Sequence, residues 1–184
     1  MSAAALALVL TAAFAHALWN FILKRSGGGI GFIWLFALLA TILYAPLAIG
    51  FLWHQWLDLG WLALGFIVLS ALIHTVYFLM LDRGYRHGDL SVVYPVARAS
   101  GPLLTVIFAI VLLGERPGPL AIAGAAAIII GARYISGIST RLRQGLPLRG
   151  IAYALMTGLM IAAYTICDQR AVTYAAIPPV LLHW

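Results

Sequence analysis

Four stretches of this chain, residues 1–23, 30–57, 59–81 and 90–113, contain a single charged side chain between them, that of Arg98. Each matches the run of about 20 apolar residues that a helix needs to cross a bilayer. Two further stretches extend the pattern: residues 119–138, if Arg133 snorkels towards the headgroups, and residues 149–168. Such lengths force the backbone to satisfy its own hydrogen bonds in lipid, which excludes open sheets and leaves helices. The chain is 64% hydrophobic and 9% charged, whereas a soluble domain carries about 25% charged residues. The pattern predicts an all-α polytopic membrane protein with about six spans.

Turn signals separate the segments. Ser26-Gly27-Gly28-Gly29 follows the first, His54 to Asp58 closes the second, and Asp82 to Asp89 separates the third from the fourth. Gly114-Glu115-Arg116-Pro117-Gly118-Pro119 turns the fourth into the fifth. Connectors this short make successive helices antiparallel neighbours. The longest polar stretch, residues 139–149, holds Arg141, Arg143 and Arg149 and predicts a boundary. A faint repeat supports it: at one common offset Lys24-Arg25 falls over Gln169-Arg170, Ala17 over Ala162, Trp19 over Tyr164 and Asn20 over Thr165. The expected organisation is a five-helix unit at 4–138, a basic connector at 139–149 and an incomplete second unit at 150–184.

The net charge of +6 sits at segment ends, where it orients helices in a membrane, and no basic stripe interleaved with aromatics points to nucleic acid. Lys24, Arg25, Arg83, Arg86, Arg141, Arg143 and Arg149 fall on one side, Arg116 and Arg170 on the other. Positive-inside bias therefore puts the N-terminus outside. Cys167 is the one cysteine, so no internal disulfide forms. Ala-x-Ala patterns at residues 13–17 resemble a signal-peptidase site, but no basic region precedes them and the apolar run continues, which reads as a retained first span.

Arg98 is the most informative residue. If the fourth helix starts near Leu90, a rise of about 1.5 Å per residue carries the guanidinium roughly 12 Å into it. A charge that cannot be shed costs on the order of 3 kcal/mol there unless it meets a partner or water. Tyr94, Arg98 and Thr105 share one face by spacing. Pro95 and Pro102 remove backbone bonds to the Ser91 and Arg98 carbonyls and predict a kinked or broken helix. The functional reading is a polar cavity in which Arg98 attracts an anionic or carboxylate group; the structural reading is an Arg neutralised by carbonyls or an interfacial acid, holding the bundle together.

His16, Asn20 and Lys24 recur at every fourth position of the first helix, and Ser70, His74 and Tyr77 form a polar face on the third. The candidate solute-binding residues are Arg98, Tyr94, Trp19, Asn20, His74 and Tyr77. His16 and His74 are candidates for proton coupling, since imidazole titrates near neutral pH. Against these stand ordinary roles: interhelical hydrogen bonds for Asn20, a snorkelling Lys24, packing for Trp19 and Tyr164. Ala123, Ala127 and Gly131 have small-xxx-small spacing, which serves close helix approach or a homodimer contact. Glu115 reads as a turn residue that pairs with Arg116 or caps the next helix. No P-loop pattern follows the glycines, no His or Cys pair has metal-ligand spacing, and no nucleophile–base spacing stands out. Neither cofactor nor enzymatic activity is expected.

With Gly88-Asp89-Leu90-Ser91-Val92-Val93-Tyr94-Pro95-Val96-Ala97-Arg98, the turn Leu113-Gly114-Glu115-Arg116-Pro117 and the small-residue helix after it, the chain resembles the EamA group of the drug/metabolite transporter superfamily. The resemblance covers residues 4–138 as one repeat and then the opening of a second. It implies a ten-helix secondary transporter of two inverted repeats around a central cavity, moving amino acids, other metabolites or drugs, usually outward, across the cell inner (plasma) membrane. It also implies cytoplasmic termini, opposite to the charge count. Relative to that pattern about four helices are absent, so the chain is expected to be the N-terminal part of a transporter, or a fragment completed by a second copy.

Three other readings compete. A small multidrug-resistance-like dimer usually has an acid inside its first helix, which this chain lacks. A membrane enzyme would need clustered acids, metal ligands or an activated nucleophile. A non-transporting assembly subunit, or an inactive transporter fragment, would show no stabilisation by solutes.

Overall fold

In a computed structural model of the chain, residues 3–25, 29–55, 60–136 and 148–184 are described. The described residues form helices and no strands. These are α1 (Ala3–Arg25), α2 (Ile30–Gln55), α3 (Trp61–His87), α4 (Leu90–Leu113), α5 (Pro119–Ser136), α6 (Leu148–Tyr174) and the short α7 (Pro179–His183). Five helices are long and apolar enough to cross a membrane. The exception among the six long elements is α5, whose apolar stretch is shorter. Most large apolar side chains on α1 and α2 point outward, Leu8, Phe14 and Trp53 among them. In water that would be untenable; in a bilayer it is the lipid-facing surface.

Two helix ends differ from the sequence reading. α3 runs on to His87, through residues expected to form a turn, and leaves only Gly88 and Asp89 as connector. The extension is stabilised within its last turn: Arg86 Nε donates to Asp82 Oδ2 at 2.9 Å, one turn away. Its terminal carbonyls are capped by Lys24, whose ammonium accepts no bond but donates to the Tyr85 and Gly88 oxygens. Four carbonyls at a helix end lack intrahelical partners, and here α1 supplies one. α6 likewise continues beyond Asp168 to Tyr174, so that aspartate lies within the helix. α4 is one uninterrupted helix with Pro95 and Pro102 inside it, so of the expected kink or break the break does not occur. It stops at Gly114, in the left-handed region at φ 67°, and the Glu115 N–H closes back on the Ala109 carbonyl at 3.0 Å.

α6 is the centre of the bundle, packed against both α3 and α4, while α5 packs on the other side of α4. It runs antiparallel to α3: His87 lies by Tyr153, Tyr77 by Tyr164, and Ser70 by Asp168. Glycines set the closeness of these contacts. A Cβ on Gly150 would lie 3.0 Å from the Gly88 Cα, and one on Gly101 would lie 2.7 Å from Ile161. At Gly158 it would fall 2.0 Å from Ser100 Oγ and 3.1 Å from the Gly101 backbone nitrogen. Without a hydrophobic drive between helices in lipid, such close backbone approach supplies the dispersion contacts that hold them. A buried cluster follows along this seam, with Leu23, Tyr77, Leu81, Tyr85, Val93, Ala97, Ala154 and Ile161.

Candidate functional site

Three helices bring tyrosines around Arg98. α4 contributes Tyr94, one turn before it, with the guanidinium carbon 5.7 Å from the ring centroid, within reach of a cation–π attraction. α3 contributes Tyr77 and α6 contributes Tyr164, both close enough to Arg98 to feel its charge. The Tyr77 and Tyr164 rings meet edge to face at 5.8 Å. Tyr77 is 5% exposed, so this side of the guanidinium is shut off by aromatic surface. Among the described residues no carboxylate lies within ion-pair distance of Arg98. The groups beside its charge are tyrosines, with the Tyr94 ring in cation–π range.

On its other side Arg98 borders a cleft of about 320 Å³. Tyr94, Pro95 and Ala99 of α4 form one wall, and Ile128, Gly131, Ala132 and Ile135 of α5 the other. Gly131, read from sequence as a small-residue packing position, here leaves space beside α4 rather than filling it. The lining is almost wholly apolar, and Arg98 and Tyr94 are the two lining residues with polar side-chain groups. That combination, an apolar wall with one fixed charge, is how small-molecule sites orient a ligand.

α1 supplies the polar stripe expected of it. Asn20 is 2% exposed; its Nδ2 donates to the His16 carbonyl at 2.7 Å and its Oδ1 accepts from the Tyr85 hydroxyl at 2.8 Å. Asn20 thus links α1 to α3 next to the tyrosine cluster. His16 lies close enough to Arg98 to feel its charge, and its Nε2 is buried with no hydrogen-bond partner. Trp19 stacks on Phe32 and Phe36 of α2, at 5.5 and 3.8 Å between centroids. Those stacks bind α1 to α2. Lys24 is drawn to the α3 carbonyls instead of snorkelling to the headgroups.

His74 leads to a second polar centre further along α3. Its ring stacks on Tyr164 at 4.2 Å, and its Nδ1 faces the Ser70 carbonyl at 3.0 Å and the Ser70 hydroxyl at 3.3 Å. The Ser70 hydroxyl, 4% exposed as a residue, donates to Asp168 Oδ1 at 2.5 Å. The structure therefore joins Tyr94, Arg98, Tyr77, Tyr164, His74, Ser70 and Asp168 in one continuous polar seam, with Asn20 and His16 flanking it. Thr105, expected on the Arg98 face, donates to the Gly101 carbonyl of its own helix. Asp168 escaped sequence reasoning because it stood as the end of an apolar run. Its spacing of one turn after Tyr164 was the available signal.

A family model matches residues 3–137, and its description is the EamA-like transporter family. The chain belongs to the EamA-like transporter family. Members of this family are transporters of the drug/metabolite superfamily, and the helices identify a multi-pass membrane protein. The matched region contains α1 to α5, and with them Arg98, Tyr94, Tyr77, His74, Asn20, His16 and Trp19. Tyr164 and Asp168 lie beyond it, on α6. No curated protein and no solved structure matches the chain.

Proposed function

We propose that this EamA-like chain carries small solutes bearing an anionic or carboxylate group across the inner membrane, as an exporter working by alternating access. The observation that supports it most is Arg98: a permanent charge deep in a membrane helix, bordering an apolar cleft, with tyrosines and no carboxylate beside it among the described residues. A charge at such depth is expensive, and a structural role would be served more cheaply by an adjacent acid. A solute anion in the cleft would neutralise the guanidinium, with Tyr94 as a ring wall and Tyr77 and Tyr164 beside it. Trp19 and Asn20 act through α1 in this reading, by fixing it to α2 and to Tyr85.

We read α6 as the opening helix of a second repeat. Trp19 and Tyr164, which coincide in the repeat alignment, each carry an aromatic stack to a neighbouring helix, and Asn20 and Thr165 coincide beside them. The units are then 4–138 and 150–184, joined by the basic connector 139–149; residues 137–147 lie outside the described residues. Rocking of one unit against the other, along the glycine-lined α3–α6 and α4–α6 contacts, would expose the Arg98 cleft alternately to the two sides.

The test is a melting-shift screen of the purified chain in detergent against benzoate, succinate, glutamate and phenylalanine, followed by uptake into proteoliposomes. At least one carboxylate should stabilise the wild type, and Arg98→Gln should abolish the shift while keeping the folded melting transition. An unchanged shift in Arg98→Gln removes that residue from the site. No shift with any compound supports a non-transporting assembly subunit.

A further inference from the structure

We propose that Ser70, His74 and Asp168 form a proton-binding centre coupled to the solute site through Tyr164, which deepens the transport reading above and rests on it. Asp168 is a carboxylate inside a membrane helix, roughly 9 Å from the Tyr174 end of α6 at about 1.5 Å per residue. Acids in such positions cost free energy and mark ion or proton paths by default. Its contact is specific: the buried Ser70 hydroxyl donates to Oδ1 at 2.5 Å. Ser70 in turn touches His74 Nδ1 through both its hydroxyl and its carbonyl.

The titratable groups around this centre come from three helices: His74 and Tyr77 from α3, Tyr164 and Cys167 from α6, and Arg98 from α4, which acts on Tyr164. Arg170 is engaged with the Tyr174 hydroxyl at 2.5 Å. α7, against the same end of α6, contributes only His183. Among the described residues no group of three or more His, Cys, Asp or Glu could hold a metal ion. Hard cations gather about six oxygens, whereas the group that bonds Asp168 here is the single hydroxyl of Ser70. That donor set suits a proton.

The step is a simple transfer. A proton from the aqueous phase binds a carboxylate oxygen of Asp168, converting it from an acceptor into a carboxylic acid that can donate. Ser70 then no longer has an anion to donate to, and its O–H is free to turn towards a different acceptor while its oxygen accepts from the acid. The change reaches His74 through the 3.3 Å contact and Tyr164 through the 4.2 Å ring stack. Tyr164 also lies close enough to Arg98 to feel its charge, so the two sites share one residue. Protonation and solute binding must then alter each other's affinity by the same factor. The opposite end of the seam is closed by Lys24 on the Tyr85 and Gly88 carbonyls and by the Gly88–Gly150 contact. The proton enters from the Tyr174 end, which the excess of Lys and Arg at the other end assigns to the outside.

The experiment is infrared titration of the full chain in phosphatidylethanolamine–phosphatidylglycerol liposomes, following the protonated-carboxyl C=O stretch and its shift in D₂O. The wild type should show a titrating carboxyl band that is lost in Asp168→Asn and retained in Glu115→Gln. Ser70→Ala, which keeps the carboxylate but removes its donor, should move the midpoint of that band. Should Asp168→Asn fail to fold, the Ser70→Ala shift decides. Replacing choline by sodium should leave the band in place; a band moved by sodium overturns the proton in favour of a metal cation. Benzoate affinity should change about fivefold or more across the midpoint in the wild type and stay flat in Asp168→Asn. Equal pH dependence of benzoate affinity in both overturns the coupling. If no carboxylate binds at all, the solute reading falls alone, and the presence or absence of the Asp168 band still decides whether the proton centre exists.

Discussion

Adding one methyl group at Gly158 tests whether α6 is clamped between its neighbours. The new Cβ would lie 2.0 Å from Ser100 Oγ, 2.9 Å from Ser100 Cβ and 3.1 Å from the Gly101 nitrogen. Turning the Ser100 side chain relieves only the first of these, and it breaks the bond from Ser100 Oγ to the Val96 carbonyl at 2.8 Å. The other two atoms are fixed to the α4 backbone, so the helices must part. Overpacking of this kind costs about 1–3 kcal/mol. Helix propensity works the other way by about 1 kcal/mol, since Ala is the better helix former. Gly124→Ala in α5 isolates that term, because nothing lies within 4 Å of its Cβ. We expect Gly158→Ala to lower the melting temperature in detergent by several degrees relative to Gly124→Ala, on the scale of about 2–4 °C per kcal/mol. Ser100→Gly in the same molecule should recover part of the loss. Equal melting temperatures for Gly158→Ala and Gly124→Ala would refute the close α4–α6 contact.

Other substitutions follow the same logic. Asn20→Ala and Tyr85→Phe, taken as a double-mutant cycle, should show a coupling of about 0.6–1.7 kcal/mol, the range for interhelical hydrogen bonds in membranes; additive effects would contradict the 2.8 Å bond. Lys24→Met leaves the Tyr85 and Gly88 carbonyls without their cation and should cost about 1–3 kcal/mol, with hydrogen exchange rising first in the last turn of α3. Trp19→Leu removes two ring stacks on α2 and should destabilise by about 0.5–1.5 kcal/mol beyond the lost area, without changing carboxylate affinity in the melting-shift assay. If affinity falls as well, Trp19 touches the solute.

The all-helical fold and the membrane setting were legible because they depend on the length of apolar segments, which is written locally in sequence; of the six spans expected, the fifth has the shorter apolar stretch. The polar stripes on α1 and α3 were legible too, since a turn-by-turn spacing of His16, Asn20 and Lys24 or of Ser70, His74 and Tyr77 needs no tertiary information. What the stripes touch was not. Lys24 reads as a snorkelling side chain until α3 is seen to run on to His87 and present its carbonyls. Pro95 and Pro102 argued for a kink or a break because each removes one helical bond; α4, packed against both α6 and α5, stays continuous. Asp168 was hidden for a related reason: a charge at the edge of an apolar run marks a helix end by composition, and only the packing of Ser70 against it shows that it lies inside.

Arg98 facing an accessible cleft within the lipid-embedded bundle can be measured directly. In a Cys167→Ser background, Arg98→Cys is labelled in proteoliposomes with a membrane-impermeant, charged methanethiosulfonate reagent, with and without the carboxylate that stabilises the wild type. Labelling is expected, slower than at an exposed end such as Tyr134→Cys, and slowed further by the carboxylate. Labelling at the full rate of the exposed control would place position 98 outside the bundle; reaction only with an apolar maleimide that partitions into lipid would turn it towards the acyl chains, and either result contradicts a solute site at Arg98.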